Sequence, residues 1–185
     1  MRSLKEEKMI RYGFILLLIC LCASLVLGVT YQFTHSRIEA QLVSEEKDAL
    51  GEIFSEATGF EQKTLGEKDY YSAKKDDKAL GYIIKVDAKG YGGIISMLVG
   101  FDFNGEIKGI EILSQSETPG LGAKINEIRY GENKPWFLKQ FEGKNAKGLE
   151  LGGDIQAITA ATISSRAVLE GVKKEVTDFL SRVKD

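Results

Sequence analysis

Residues 79–114 read ALGYIIKVDAKGYGGIISMLVGFDFNGEIKGIEILS, and the fold turns on them. Three runs, Ala79–Asp87, Ile94–Phe103 and Glu106–Ser114, are rich in β-branched and aromatic residues and are bounded by glycines, which spells three successive strands. Asn104-Gly105 separates the last two and predicts a two-residue hairpin turn with positive φ at both central positions. That pair is therefore expected to be antiparallel.

Working outward, Glu61–Lys78 is polar and lysine-rich, with Tyr70 and Tyr71 as its aromatic pair, and reads as a loop with one short strand. Downstream, Lys134–Phe141 reads as a short helix with Pro135 near its start. Ser164–Val183 reads as a longer one, with Val168, Leu169, Val172, Val176, Phe179, Leu180 and Val183 recurring every three or four residues. Such an apolar stripe packs on a sheet. Strands followed by a terminal helix give an α+β class, an antiparallel sheet with packed helices, rather than a wound parallel sheet.

The N-terminal part has a different character. Tyr12–Phe33 (YGFILLLICLCASLVLGVTYQF) carries no charge, and about 20 apolar residues suffice for a helix to cross a bilayer core. Tyr12 at one end and Tyr31 with Phe33 at the other suit the two interfaces. The run exceeds a signal-peptide core and lacks a small-x-small cleavage pattern. A lipoprotein anchor at Cys20 or Cys22 is disfavoured by the bulky Ile19 and Leu21 before them. Arg2, Lys5, Lys8 and Arg11 precede the span and only Arg37 follows closely, which predicts a cytoplasmic N-terminus. The expected organisation is a cytoplasmic segment 1–11, a membrane helix 12–33, a connecting helix 34–58 with Ile38, Leu42, Ala49, Ile53 and Phe54 along one face, and an extracytoplasmic domain 59–185.

Composition narrows the function. With 25 basic and 27 acidic residues spread along 185, no basic face points to nucleic acid. One histidine, and cysteines confined to the apolar helix, disfavour zinc, iron–sulfur or haem sites. No metal ligand and no catalytic residue is assigned. Electron handling, if present, falls to an organic cofactor.

Two segments carry candidate chemistry. Gln156–Arg166 (QAITAATISSR) precedes the last helix, whose N-terminus favours a phosphate, and small Ala160 and Ala161 permit close approach. Helix capping by Thr162, Ser164 or Ser165 accounts for the same residues. In Ser116–Ile125 (SETPGLGAKI), Gly120 and Gly122 permit a turn that comes close to a planar ring, with Leu121 covering it; a plain tight loop is the other reading. The Gly90-Tyr91-Gly92-Gly93 turn is a weaker candidate for touching a cofactor and is not assigned to the site.

Thr159-Ala160-Ala161-Thr162 resembles the Ser/Thr-Gly-Ala-Thr motif of the FMN-binding domain family, in which the last threonine is joined to FMN through a phosphoester. The family pattern places Asp where this chain has Gln156 and Gly where it has Ala160. Glu117-Thr118-Pro119-Gly120-Leu121-Gly122 is similar to a segment of the G subunit of the Rnf complex and of the related C subunit of sodium-pumping NADH:quinone oxidoreductase. Order and length favour the Rnf G subunit. The resemblance implies FMN bound covalently on Thr162, with Glu117, Thr118, Gly120, Leu121, Gly122, Lys124, Thr159, Ala160, Ala161, Ser164 and Ser165 around it. It implies an electron relay in an ion-translocating ferredoxin:NAD oxidoreductase of the cytoplasmic (inner) membrane, with redox and membrane subunits, lipid and a flavin transferase as partners. A free-standing extracytoplasmic FMN reductase, and a flavin-free tethered scaffold, are the competing readings.

Overall fold

The computed structural model describes residues 2–66, 68–76 and 78–184. It divides into two units, Met1–Ser44 and Glu45–Asp185. In the first, the backbone is helical throughout the described part as the start of α1 (Arg2–Ile53). Met9–His35 is apolar and long enough to cross a membrane, and none of it is buried within the protein. Cys20 and Cys22 are exposed on it as free thiols.

The second unit is built on a five-stranded antiparallel sheet in simple sequence order: β1 (Gly59–Leu65), β2 (Lys68–Lys75), β3 (Lys78–Lys89), β4 (Ile94–Phe101) and β5 (Ile107–Ser114). The expected class is therefore observed, with two differences. Residues 61–78, read as a loop and one short strand, form most of two strands; the register runs from Gly59↔Lys74 to Leu65↔Lys68. β1 alternates poorly because nearly all its side chains are exposed, and a lysine-bearing polar edge strand is a common way of protecting a sheet edge.

The second difference is the β4–β5 connection. Instead of a two-residue turn, Asp102–Glu106 forms a longer loop in which Gly105 N–H donates to Asp102 O and Asp102 N–H donates to Glu106 O. Among the turn residues only Gly105 has positive φ (85°). The Asp102 side chain explains the longer form: its Oδ1 accepts from Asn104 N and Glu106 N at 2.9 and 3.0 Å, an Asx-type arrangement that competes with the tighter turn.

Strand alternation sorts side chains onto two faces. On one, Ile84, Val86, Ile95, Met97, Val99 and Phe101 meet Val168, Leu169, Val172, Val176 and Leu180 of α3 (Thr162–Lys184). The expected apolar stripe thus makes the main core, and each fully buried aliphatic side chain contributes about 1.5–3 kcal/mol. A register shift between Gly100 and Phe101 leaves Lys108 unpaired, which turns both Ile107 and Ile110 inward. On the other face Leu50, Ile53 and Phe54, at the end of α1, cover Ala73, Ile83 and Leu98. The connecting helix therefore does present Ile53, with Phe54 just beyond it, but it ends at Ile53 rather than 58; the Leu42 side chain lies outside the described residues. The short helix read at 134–141 is α2 (Trp136–Lys139).

Candidate functional site

The sheet order brings the β3–β4 turn (Gly90–Gly93) and the segment after β5 to the same end, since Ser96 pairs with Ser114. A Cβ on Gly92 would lie 2.3 Å from Ser116 O, so these two backbones are in direct contact. The chain then makes a 3-10 turn at Gly122–Asn126, with Leu121 and Ala123 both donating N–H to Thr118 O. Much later Ile158–Ala161 leads into α3, with Ala161 N–H donating to Ile158 O.

These three segments enclose a cleft of about 440 Å³ lined by Tyr91, Glu117, Thr118, Leu121, Gly122 and Ala160–Ser164. Eight of the twelve sequence-assigned residues line it: Glu117, Thr118, Leu121, Gly122, Ala160, Ala161, Thr162 and Ser164. Gly120, Lys124, Thr159 and Ser165 do not. Gly120 is exposed in a left-handed turn (φ 76°). Ser165 is fully buried, its Oγ donating to Ala161 O and accepting from Ile158 N–H, both at 3.0 Å. Its hydroxyl ties the turn at Ile158–Ala161 to the first turn of α3 rather than capping a free N–H of the helix.

Thr162 is exposed at the first position of α3. It also borders a second cleft, of about 250 Å³, with Lys89, Ile163, Arg166, Ala167 and Glu170. Just before it Ala160 has φ 63°, the left-handed region that costs a residue with a Cβ about 1–2 kcal/mol. The position where the family motif has glycine is thus one that favours glycine. Gln156 has an exposed side chain, while its backbone N–H donates to Gln140 Oε1 at 2.8 Å and its carbonyl accepts from Gln140 Nε2 at 3.3 Å.

Glu117 is the pivot of the cleft. Only 5% exposed, it accepts from Gly92 N–H through Oε1 at 2.9 Å and from the Ser164 hydroxyl through Oε2. One carboxylate joins all three segments. The space in front of Gly122 is filled from within: a Cβ there would lie 2.4 Å from Glu117 Oε2 and 2.5 Å from Ser164 Oγ. Gly122 thus makes room for a buried carboxylate as well as bordering the cleft.

The cleft also has apolar surface. Tyr91 is 72%, Leu121 43% and Ile163 56% exposed, and its volume falls within the range of small-ligand and cofactor sites. Tyr91 and Ile163 were missed by the sequence reading. The signal for Tyr91 was present in its glycine-flanked turn, which only the sheet order places beside Ser116.

Known proteins share both parts of the chain. Residues 90–177 match the family described as FMN-binding domain, and residues 1–53 match the RnfG N-terminal region. The G subunit of the proton-translocating ferredoxin:NAD(+) oxidoreductase complex of Clostridium ljungdahlii is 34% identical over 163 residues, spanning 85% of this chain and 84% of the relative. The G subunit of the Na(+)-translocating ferredoxin:NAD(+) oxidoreductase complex of Acetobacterium woodii is 31% identical, spanning 90% and 89%. Among solved structures, the C subunit of the Na(+)-translocating NADH-quinone reductase of Parabacteroides distasonis shares the fold (TM-score 0.51, 24% identity, 64% of this chain and 63% of that one). With near-full-length likeness to G subunits and only fold-level likeness to a C subunit, the chain belongs to the RnfG family, the G subunits of ion-translocating oxidoreductase complexes, and contains an FMN-binding domain.

Proposed function

We propose that this chain is the membrane-anchored electron-transfer subunit of a ferredoxin:NAD oxidoreductase complex, and that it carries FMN esterified to Thr162. The observation that carries this reading is the position of Thr162: an exposed hydroxyl at the first turn of a 23-residue helix, on the rim of a cleft lined by exposed apolar side chains. Tyr91, Leu121 and Ile163 suit the faces of an isoalloxazine ring, and Thr118 offers it a polar edge. Lys89 and Arg166, in the cleft on the other side of Thr162, suit the charge of a phosphoryl group, as do the unpaired N–H groups of a helix start. Bound FMN supplies the redox chemistry; the chain's own residues hold, orient and partly cover it.

The ester would form when Thr162 Oγ attacks the flavin-side phosphorus of an activated flavin pyrophosphate. A P–O bond to Oγ forms, the pyrophosphate P–O bond breaks, a nucleoside monophosphate leaves, and the hydroxyl proton passes to the flavin transferase. Met9–His35 would anchor the chain in the cytoplasmic membrane among lipid and partner subunits, with the N-terminal charges inside and the FMN domain outside. Ultraviolet fluorescence of the denatured protein band tests the covalent link, and peptide mass spectrometry assigns it. A band without fluorescence from a host with an active transferase would favour a flavin-free scaffold. A flavin-bearing chain that purifies without redox partners would favour a free-standing reductase.

A further inference from the structure

Glu117 does more than close the loop: we infer that its carboxylate is a fixed negative charge beneath the flavin cleft that holds the potential of the bound flavin down. This rests on the reading that the cleft takes FMN.

Three observations carry it. The side chain is 5% exposed, so bulk water screens it weakly. Both carboxylate oxygens accept hydrogen bonds, one from a backbone N–H and one from a hydroxyl, so the carboxylate has a donor at each oxygen. Among the described residues lining the cleft there is no lysine or arginine, and the two donors to its carboxylate, Gly92 N–H and the Ser164 hydroxyl, are neutral. A buried charge held in this way keeps its field.

The sign follows from Coulomb's law. A flavin gains electrons on reduction, so a negative charge beside the cleft disfavours the reduced form and lowers the midpoint potential. The structure also suggests how the charge is held in position. Gly90 and Gly122 leave the space that the carboxylate fills, for a Cβ on either would approach Glu117 oxygens at 2.3–2.4 Å. Glu117 is thus a positioning residue with an electrostatic function, set below the cleft by the glycines around it.

Redox titration of the full-length flavinylated chain decides the matter. Glu117→Gln keeps the shape, with its amide oxygen placed to accept from Gly92 N–H and its amide N–H to donate to the Ser164 hydroxyl, but removes the charge, and its midpoint potential is expected to rise. Glu117→Asp keeps the charge and is expected to retain a potential near that of the wild type. An unchanged potential in fully flavinylated Glu117→Gln would overturn the inference and leave Glu117 a structural tie. Should that variant fail to fold or load, Ser164→Ala decides, because it keeps the charge while removing one neutral donor. A potential below the wild-type value supports the inference, and an unchanged or higher one overturns it. Absence of flavin from the wild-type chain would overturn the reading of the cleft and this inference with it.

Discussion

The Ser164 hydroxyl donates a hydrogen bond to Glu117 Oε2 across 47 residues of sequence, both groups being buried. This bond fastens the first turn of α3 to the loop that forms the opposite wall of the cleft. Thr162, two residues earlier, is thereby fixed relative to that wall, although its own side chain remains exposed.

The first expectation follows from that exposure. Thr162→Ala should give a folded, membrane-bound chain without flavin. Loss of a helix-terminal hydroxyl costs about 1 kcal/mol, and the buried Ser165 keeps both of its hydrogen bonds. In-gel fluorescence should vanish while thermal unfolding stays nearly unchanged; fluorescence that persists would move the attachment site elsewhere.

Ala160 gives a second. At φ 63° its Cβ is strained, so Ala160→Gly should stabilise the domain by about 1 kcal/mol, the relief of strain exceeding the added chain entropy of glycine. A rise in melting temperature of about 2–4 °C is expected, with flavin loading at least as fast as in the wild type. A lower melting temperature would show that the left-handed conformation is not adopted.

The two motif segments were legible because each carries its residues locally, and the strands of 79–114 because apolar residues dominate them. What could not be read depended on partners distant in sequence. β1 and β2 bury few side chains on either face, so their hydrophobic pattern is faint; the left-handed Gly66 and Asp76 (φ 65° and 48°) in their connections were the better signal. Tyr91 joins the cleft only because β3–β4 pairing and the end of β5 place its neighbour Gly92 against Ser116. The Glu117–Ser164 bond has no local signature, and without it Gly122 reads as a glycine for a tight loop or for close approach to a ring, not as one that makes room for a buried carboxylate.

Gly120 and Gly122 should therefore behave differently. Gly122→Ala drives a methyl against Glu117 and Ser164, and overpacking together with a disturbed buried hydrogen bond should cost about 2–4 kcal/mol and reduce flavin loading. Gly120→Ala meets nothing within 4 Å and should cost only its left-handed strain, about 1–2 kcal/mol, with loading retained. Parallel unfolding and fluorescence measurements test this, and equal effects at the two positions would contradict the packing argument.

The proposed topology can be probed at Lys75, which is exposed and forms a surface ion pair with Glu56 at 3.3 Å, worth less than about 1 kcal/mol. With Cys20 and Cys22 replaced by alanine, Lys75→Cys should react with an impermeant thiol reagent in intact cells if the domain lies outside. Labelling only after lysis would reverse the orientation.

The last expectation concerns Glu111 on β5, whose carboxyl is pushed up to about 7 from an ordinary 4.5. Burial is the main cause, followed by the negative charge of Glu52; Lys134 opposes the shift and Glu142 adds to it. Because the folded state holds this proton more tightly than the unfolded chain, between pH 4.5 and about 7 the folded state binds more protons. Stability must then fall as pH rises through that window. The group is only partly buried, so solvent screening reduces the effect to about 1–2 kcal/mol. Glu111→Gln resembles the protonated form and should leave stability unchanged near pH 4, below the ordinary 4.5, while raising it by that amount at about pH 8. Thermal unfolding of the detergent-solubilised chain and its variant at the two pH values provides the measurement. A stability difference of equal size at both would mean that Glu111 does not titrate in this window.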